Sequence, residues 1–370
     1  MVGWTSENSC LIWSFNTDQL ERSIICEQAD VTDPKPIIGT PEPAAASSPV
    51  RRHRFSGLKP STTYQYQVRS GADNLADGSF TTAPPTGDPA RFSYAMTSCM
   101  DAKRFPVQQT WDHVLAEAPS FHLLVGDNVY ADTTEPDVIL RHHLKQRAIP
   151  NFGKLLATTP NLATWDDHDF GPNDSHGKTP GKENSLAAFK QLWANPAYGT
   201  RDTAGIFFKF QWADVDFFVM DGRYHRTDEK APNRPDKTQF GKAQLDWLFA
   251  GLKASRATFK VVVSGYDIMG SRYPNEIGRI AKRIRNDKIA GILFHSGDIH
   301  RNEFKQQDHG MGYPVTQITS SGIARNPKNP WAMIDVDTTA SDPSLSARFF
   351  HNDQLQETHT IRLSDLSPSK

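Results

Sequence analysis

An all-β region followed by an α/β domain is the architecture that the sequence predicts. Three observations carry it. Up to residue 82 the apolar residues come in short alternating runs broken by Pro, Ser, Gly and Asp, as in half-buried strands joined by turns. Residues 83–89 (APPTGDP) form a break rich in Pro and Gly. Beyond it, apolar runs of strand length alternate with stretches whose apolar residues recur at helical spacing, the pattern of a layered sheet flanked by helices. At 370 residues the chain exceeds one ordinary core, so about two domains are expected.

Within residues 1–82, the runs at 10–15 (CLIWSF), 23–27 (SIICE), 64–69 (YQYQVR) and 78–82 (GSFTT) read as strands of a small sandwich. The segment 57–68 (GLKPSTTYQYQV) sets Tyr64 after a Leu-x-Pro turn, at the head of an alternating strand. That arrangement resembles the tyrosine corner of fibronectin type III domains. The expected organisation is a fibronectin-III-like β-sandwich over 1–82, a linker over 83–89 and a second domain over 90–370. In the second domain, strands are expected at 91–99 (RFSYAMTSC), 121–127 (FHLLVGD), 259–265 (FKVVVSG) and 290–298 (AGILFHSGD), with a strand pair in 205–221. Helices are expected at 110–118, 184–195, 242–255 and 280–287, where the apolar spacing is three or four residues. The tail reads as strands at 331–336, 345–350 and 358–363, so no helical lid is expected there.

Composition narrows the function. Hydrophobic content of 37% with 10% aromatics describes an ordered globular chain. Forty-one Lys and Arg against 42 Asp and Glu leave a net charge of -1, which gives no global field for nucleic acid and no expectation of specific nucleic-acid binding. No apolar run is long enough to span a bilayer. The opening MVGWTSENSC lacks the charged and apolar segments of a signal peptide, so none is expected, and the compartment stays open. Three cysteines do not make a disulfide framework. Cys10 and Cys26 could pair if their strands are neighbours, but two buried thiols is the preferred expectation.

The residues able to bind metal gather where strands end, which is where α/β sheets place ligand sites. TSCMD at 97–101 offers Cys99, a strong ligand once ionised. VGDNVYAD at 125–132 turns sharply at its glycine and presents Asp127, with Tyr130 and Asp132 close behind. WDDHD at 165–169 sets three carboxylates around His168, an arrangement that repels itself unless cations or hydrogen bonds compensate. SGDIH at 296–300 places Asp298 and His300 on one face of an extended segment. Singly, these strings have bland explanations: a buried thiol, a Gly-Asp turn, a solvated acidic turn and a chance Asp-x-His. Four of them in this order in one α/β domain point to a metal centre.

The strings SCMD, GDNVYAD, WDDHD, DGR and SGDIH, in that order, resemble the PhoD-type alkaline phosphatases of the calcineurin-like metallophosphatase superfamily. The fibronectin-like leader does too, so the resemblance covers about the whole chain. It implies an α/β metallophosphatase domain with a two-layered β-sandwich core flanked by helices. It also implies hydrolysis of phosphate mono- and diesters by a metal-activated hydroxide attacking phosphorus, with Fe(III) and Ca(II) as metals. By position, Cys99 and Tyr130 bind the iron, Asp127 bridges, and Asp167, Asp298 and His300 complete the shells. His168 is the expected proton donor or transition-state stabiliser, with Asp166 as its orienter. Arg223 is the expected phosphate contact, weighed equally against a salt bridge to Asp221. Two departures stand out: Tyr266 and Asp267 occupy positions where a glutamine is common, and FGPND follows WDDHD in place of an acidic-Asn-Asn run. The alternatives are a Zn or Mn pair in the same hydrolase, or a non-catalytic adhesion protein. The expected partner is a small phosphate ester; protein partners are not specified.

Overall fold

The computed structural model describes residues 1–16, 21–45, 48–270 and 272–368. The first eight strands are β1 (Val2–Thr5), β2 (Ser9–Phe15), β3 (Ser23–Gln28), β4 (Ile37–Ile38), β5 (Thr40–Pro41), β6 (Val50–Ser56), β7 (Thr63–Ser70) and β8 (Asp73–Thr81). They form two antiparallel sheets, ordered β1-β2-β6-β5 and β4-β3-β7-β8. Val2, Cys10, Ile12 and Phe55 from one sheet share a core with Ile24, Cys26, Tyr64, Tyr66 and Phe80 from the other. The Tyr64 hydroxyl accepts a hydrogen bond from the Lys59 backbone N–H at 2.9 Å, closing the turn ahead of β7. Cys10 and Cys26 are both buried free thiols in this core.

Strand β2 is buried on both faces. Cys10 and Ile12 face the sandwich core, while Leu11 and Trp13 belong to a second core shared with the α/β region. Trp13 Nε1 donates to the Gln191 carbonyl at 2.9 Å. The Arg147 guanidinium lies 4.3 Å from the Trp13 ring and 4.9 Å from the Trp193 ring. The 83–89 stretch is itself docked, with Ala83 N–H donating to Ser6 O and Gly87 N–H to Ala213 O.

The remainder contains, in chain order, β9 (Arg91–Thr97), α1 (Thr110–Ala116), β10 (Phe121–Val125), α2 (Pro136–Arg147), α3 (Pro150–Thr158), β11 (Asn161–Thr164), α4 (Asp167–Phe170) and α5 (Lys182–Leu192). Then follow β12 (Phe208–Trp212), β13 (Val215–Val219), α6 (Lys242–Ala254), β14 (Phe259–Val263), α7 (Pro274–Asn286), β15 (Ile292–Ser296), β16 (Glu303–Gln307) and β17 (Val315–Thr319). The tail supplies β18 (Pro330–Asp337), β19 (Ser344–His351) and β20 (Gln354–Arg362). Two six-stranded sheets result, ordered β11-β10-β9-β18-β19-β20 and β12-β13-β14-β15-β17-β16. Tyr94 and Phe121 of the first meet Phe217 of the second edge-on, each pair at 5.4 Å, within one continuous apolar core.

Each sheet contains a block of parallel strands: β11, β10 and β9 along one side of the first, and β13, β14, β15 and β17 in the middle of the second. Parallel strands release their chains at one end of the sheet, and here both sheets do so side by side. The junction is tight. A Cβ at Gly297 would lie 2.2 Å from the Val125 carbonyl oxygen, so only glycine lets the two sheet ends touch. Gly297 N–H in turn donates to Gly265 O at 3.1 Å, tying it to the end of the neighbouring strand β14 of its own sheet.

The tail is strand, as expected, and the 205–221 pair is the β12–β13 hairpin. Helix α7 starts earlier than expected because Pro274, at its first position, supplies a ready-made helical φ. Helices α2 and α3 went unanticipated. The buried positions of α2 are Ile139, His143 and Gln146, so its inward face does not read as an apolar stripe.

Two histidines are sealed in the α/β core. His122 sits between Thr97 Oγ1 (2.7 Å) and Asn161 Oδ1 (3.0 Å), and His295 between the Tyr94 hydroxyl (2.6 Å) and its neighbour's carbonyl, Phe294 O (3.0 Å). Burial lowers both pKa values from 6.5 to about 4, against the opposing hydrogen bonds to Asn161 and Phe294 O. The unfolded chain therefore takes up protons first. Their contribution to stability is complete above pH 6.5 and is lost as pH falls towards 4. Urea unfolding of metal-stripped protein should show a loss of about 2 kcal/mol per histidine between pH 7 and pH 5. The double variant His122→Asn/His295→Asn should flatten that slope, and an unchanged slope would count against this origin.

Candidate metal centre

Four strand ends deliver the chemistry. Cys99 follows β9, Asp127 follows β10, Asp167 opens α4 just beyond β11, and Asp298 and His300 follow β15. Four of these residues have a left-handed backbone: Cys99 (φ 61), Asp127 (φ 48), Asp298 (φ 72) and His300 (φ 54). This conformation is uncommon for non-glycine residues, though Asp and His tolerate it better than most, and it recurs at functional sites. Here hydrogen bonds hold it in place. Cys99 N–H donates to Gly126 O, Met100 N–H to Asp127 O, His300 N–H to Ser321 Oγ, and Asn326 Nδ2 to His300 O.

The side chains converge in three overlapping groups: Cys99, Asp127 and His300; Asp127, Asp167 and His168; and Asp127, Asp166, Asp167 and Asp298. Within each group the ligand-type atoms all lie within 4.8 Å of one another, and Asp127 belongs to all three. On one side of it, Cys99 Sγ is 3.3 Å and the Tyr130 hydroxyl 3.4 Å from Asp127 Oδ2. The same hydroxyl is 3.0 Å from His300 Nε2. On the other side lie the carboxylates. Asp127 Oδ1, Asp166 Oδ2 and Asp167 Oδ1 are buried without a hydrogen-bond partner, a condition that carboxylate oxygens do not sustain in a settled core.

The electrostatics agree. Burial, then the charges of Asp167, Asp166, Asp169 and Asp298, push Asp127 well above the usual carboxylate range. Asp298 rises to about 7, chiefly through burial and then Asp166. Burial and the Asp127 charge hold the Cys99 thiol well above its ordinary value, and burial with Cys99 and Asp127 does the same to Tyr130. Positive charge in the space between them would outweigh these penalties and favour the ionised forms. The donor set therefore fits cations.

Two expectations need correction. Arg223 is 1% exposed, and its Nε is 2.6 Å from Asp166 Oδ1. Its Nη1 donates to Ser175 O at 3.1 Å, and its Nη2 lies 3.5 Å from Asp167 Oδ1. It is enclosed and committed, so it presents no fork to a substrate. It is not paired with Asp221 either, whose Oδ1 instead takes the Arg223 and Tyr224 backbone N–H groups and Trp165 Nε1. Asp166 does not orient His168, because it faces Arg223. The partner of His168 is Asp132, at 2.5 Å from Nδ1. Burial lowers the His168 pKa, but that hydrogen bond and the charges of Asp167, Asp132 and Asp166 outweigh it, leaving the net shift upward.

Other roles escaped the sequence. Asp169 is scaffold: it accepts from Asn128 N–H, Val129 N–H and Asp166 N–H, tying the second and third loops together. Ser321 contacts Cys99 Sγ at 3.1 Å and His300 N at 3.0 Å. The signal for Ser321 was a Ser-Ser-Gly turn after β17, too common to notice alone. Asp267, one of the two departures, pairs with Lys305 and Gln317. Its neighbour Tyr266 stacks under Arg226 at 4.1 Å.

A family model described as PhoD-like phosphatase matches residues 94–323, a span that contains all four loops. Alkaline phosphatase D of Bacillus subtilis (strain 168) is 23% identical over 335 aligned residues, covering 72% of this chain and 57% of that protein. The chain thus spans a little over half the length of that curated relative. A solved structure of PhoD superposes with a TM-score of 0.76 at 15% identity, covering 98% of this chain and 88% of that one. A purple acid phosphatase from yellow lupin (Lupinus luteus) seeds gives a TM-score of 0.71 at 11% identity, covering 98% and 73%. At these identities the two structures show a shared fold.

Removing one partner of a buried ion pair strands the other charge, so Arg223→Met should lower stability by about 3–5 kcal/mol in denaturant unfolding. Adding Asp166→Asn should restore most of it. A single-variant loss under about 1 kcal/mol would show that Arg223 is not what holds Asp166 in place.

Proposed function

The chain belongs to the PhoD-like phosphatase family, and on that premise we propose that it hydrolyses phosphate esters at a metal centre built around Asp127. The observation that carries the proposal is the shared position of Asp127, between a thiol–phenol–imidazole side and a carboxylate side. Cys99, Tyr130, His300 and Asp127 would hold Fe(III), since thiolate and phenolate are anionic donors that suit a highly charged ion. Asp127, Asp167 and Asp298 would hold Ca(II), which prefers oxygen. Cations bound there neutralise phosphoryl oxygens and lower the pKa of water towards neutrality.

The chain's own residues supply the rest. Asp132 holds His168 at Nδ1, and Nε2 has no hydrogen-bond partner among the described residues, so the imidazolium donates a proton from Nε2 to the departing ester oxygen. Asp174 N–H binds Asp167 Oδ2 at 2.7 Å and fixes that carboxylate's orientation. Arg223 neutralises Asp166 behind it and acts as a positioning residue. The substrates that suit this arrangement are small phosphate mono- and diesters. No helix among the described residues is long and apolar enough to cross a membrane.

For the chain as a whole we infer a fibronectin-III-like module over 1–82, a linker over 83–89 and the catalytic domain over 90–370. The self-contained core of the two N-terminal sheets and the Tyr64–Lys59 bond support the first of these.

Purified protein should contain iron and calcium by elemental analysis and absorb visible light through thiolate- and phenolate-to-iron charge transfer. The band should change in Tyr130→Phe and Cys99→Ser. Hydrolysis of aryl phosphates should fall by about 10²–10⁴ in kcat in His168→Asn with metal content unchanged. Zinc or manganese in a colourless active enzyme would replace the iron–calcium assignment. Failure to hydrolyse either ester class with all these metals supplied would sink the enzyme and leave a binding protein.

A further inference from the structure

Once Arg223 is enclosed, the site lacks its expected guanidinium for the phosphoryl group, and the structure offers another. Arg325 lies on the 320–326 turn that follows β17. That turn is folded onto both the Cys99 and His300 loops: Gly322 N–H donates to Ser98 O, Ala324 N–H to Cys99 O, and Asn326 Nδ2 to His300 O. Gly322 (φ 101) allows the close approach, since a Cβ there would come within 3.2 Å of His300 Cα. The turn brings the Arg325 guanidinium 4.2 Å from the centre of the Tyr130 ring. The hydroxyl of that ring is 3.0 Å from His300 Nε2 and 3.4 Å from Asp127 Oδ2.

Arg325 is held but not used up. Its Nη1 binds Asp101 Oδ2 at 2.6 Å, and Asp101 is fixed in turn by accepting the Lys103 and Arg104 backbone N–H groups on Oδ1. Its Nε and Nη2 have no hydrogen-bond partner among the described residues, and the side chain is 24% exposed. The other arginines near the carboxylates differ. Arg223 is fully enclosed, and Arg226 is buried and stacked against Tyr266 and Tyr273. Arg325 is thus a clamped, accessible, half-used fork beside the proposed iron ligands.

We propose that Arg325 binds non-bridging phosphoryl oxygens of the substrate and biases the enzyme towards phosphomonoesters over diesters. The proposal rests on the phosphatase function argued above. An ionised monoester carries two charges on three non-bridging oxygens, whereas a diester carries one charge on two. An extra guanidinium beside the cations therefore gains most from the monoester, through charge and through a fork that matches phosphate geometry.

The test compares wild type, Arg325→Gln and Arg325→Lys on 4-nitrophenyl phosphate and bis(4-nitrophenyl) phosphate, with inorganic phosphate as competitive inhibitor. Arg325→Gln should lower kcat/KM about 10- to 100-fold for the monoester, mainly through KM, weaken phosphate inhibition in step, and change the diester by under about 3-fold. Arg325→Lys should fall between, keeping the charge but losing the fork. Metal content should stay unchanged in both. Equal losses on both esters, no loss on either, or metal loss shared by both variants would overturn the assignment while leaving the phosphatase intact. Hydrolysis of neither ester by wild type would overturn both.

Discussion

Mutual repulsion among buried anions is the constraint on which this structure turns. Asp127, Asp166 and Asp167, all buried, and the half-buried Asp298 are packed within reach of one another, with a thiol and a phenol on the far side. A polypeptide left to itself would protonate such a group or splay it open. The surrounding structure prevents the splaying. Arg223 neutralises one carboxylate from behind, Asp169 ties two of the loops, and four of the residues are held with a left-handed backbone. What remains uncompensated points inward, and that residue of unsatisfied charge is what the site has to offer a cation.

The fold makes the crowding possible. A single parallel sheet presents one row of carboxyl ends; two sheets packed face to face present two rows, and the glycine contact at Gly297 closes the distance between them. Cys99, Asp127 and Asp167 come from one row and Asp298 and His300 from the other. The centre is therefore a seam between layers, and its precision depends on the aromatic packing of Tyr94, Phe121 and Phe217 beneath it.

Much of this was legible in the sequence because strand-end motifs are local. Gly-Asp after an apolar run announces itself at Asp127 and Asp298, and the order of the strings did the rest. What stayed hidden depends on where chains meet. Asp132 was in view, yet nothing in its spacing says that it, and not Asp166, turns towards His168. Arg223 and Arg325 look alike as letters, and only burial separates the positioning residue from the available one. Helix α2 hides because it buries His143 and Gln146 where an apolar stripe was sought. The Tyr64 turn was readable because its hydrogen bond closes over five residues.

The double burial of β2 has a further consequence. A strand with no face to solvent belongs to both of the cores it separates, and here Trp13 and Arg147 lock the second of them. The break at 83–89 divides the chain in sequence without dividing its cohesion. A protease that nicked that stretch would release no fragment: the severed pieces would stay together as a two-chain complex, held by the tryptophan–arginine–tryptophan stack and the backbone bond from Trp4 to Ala194.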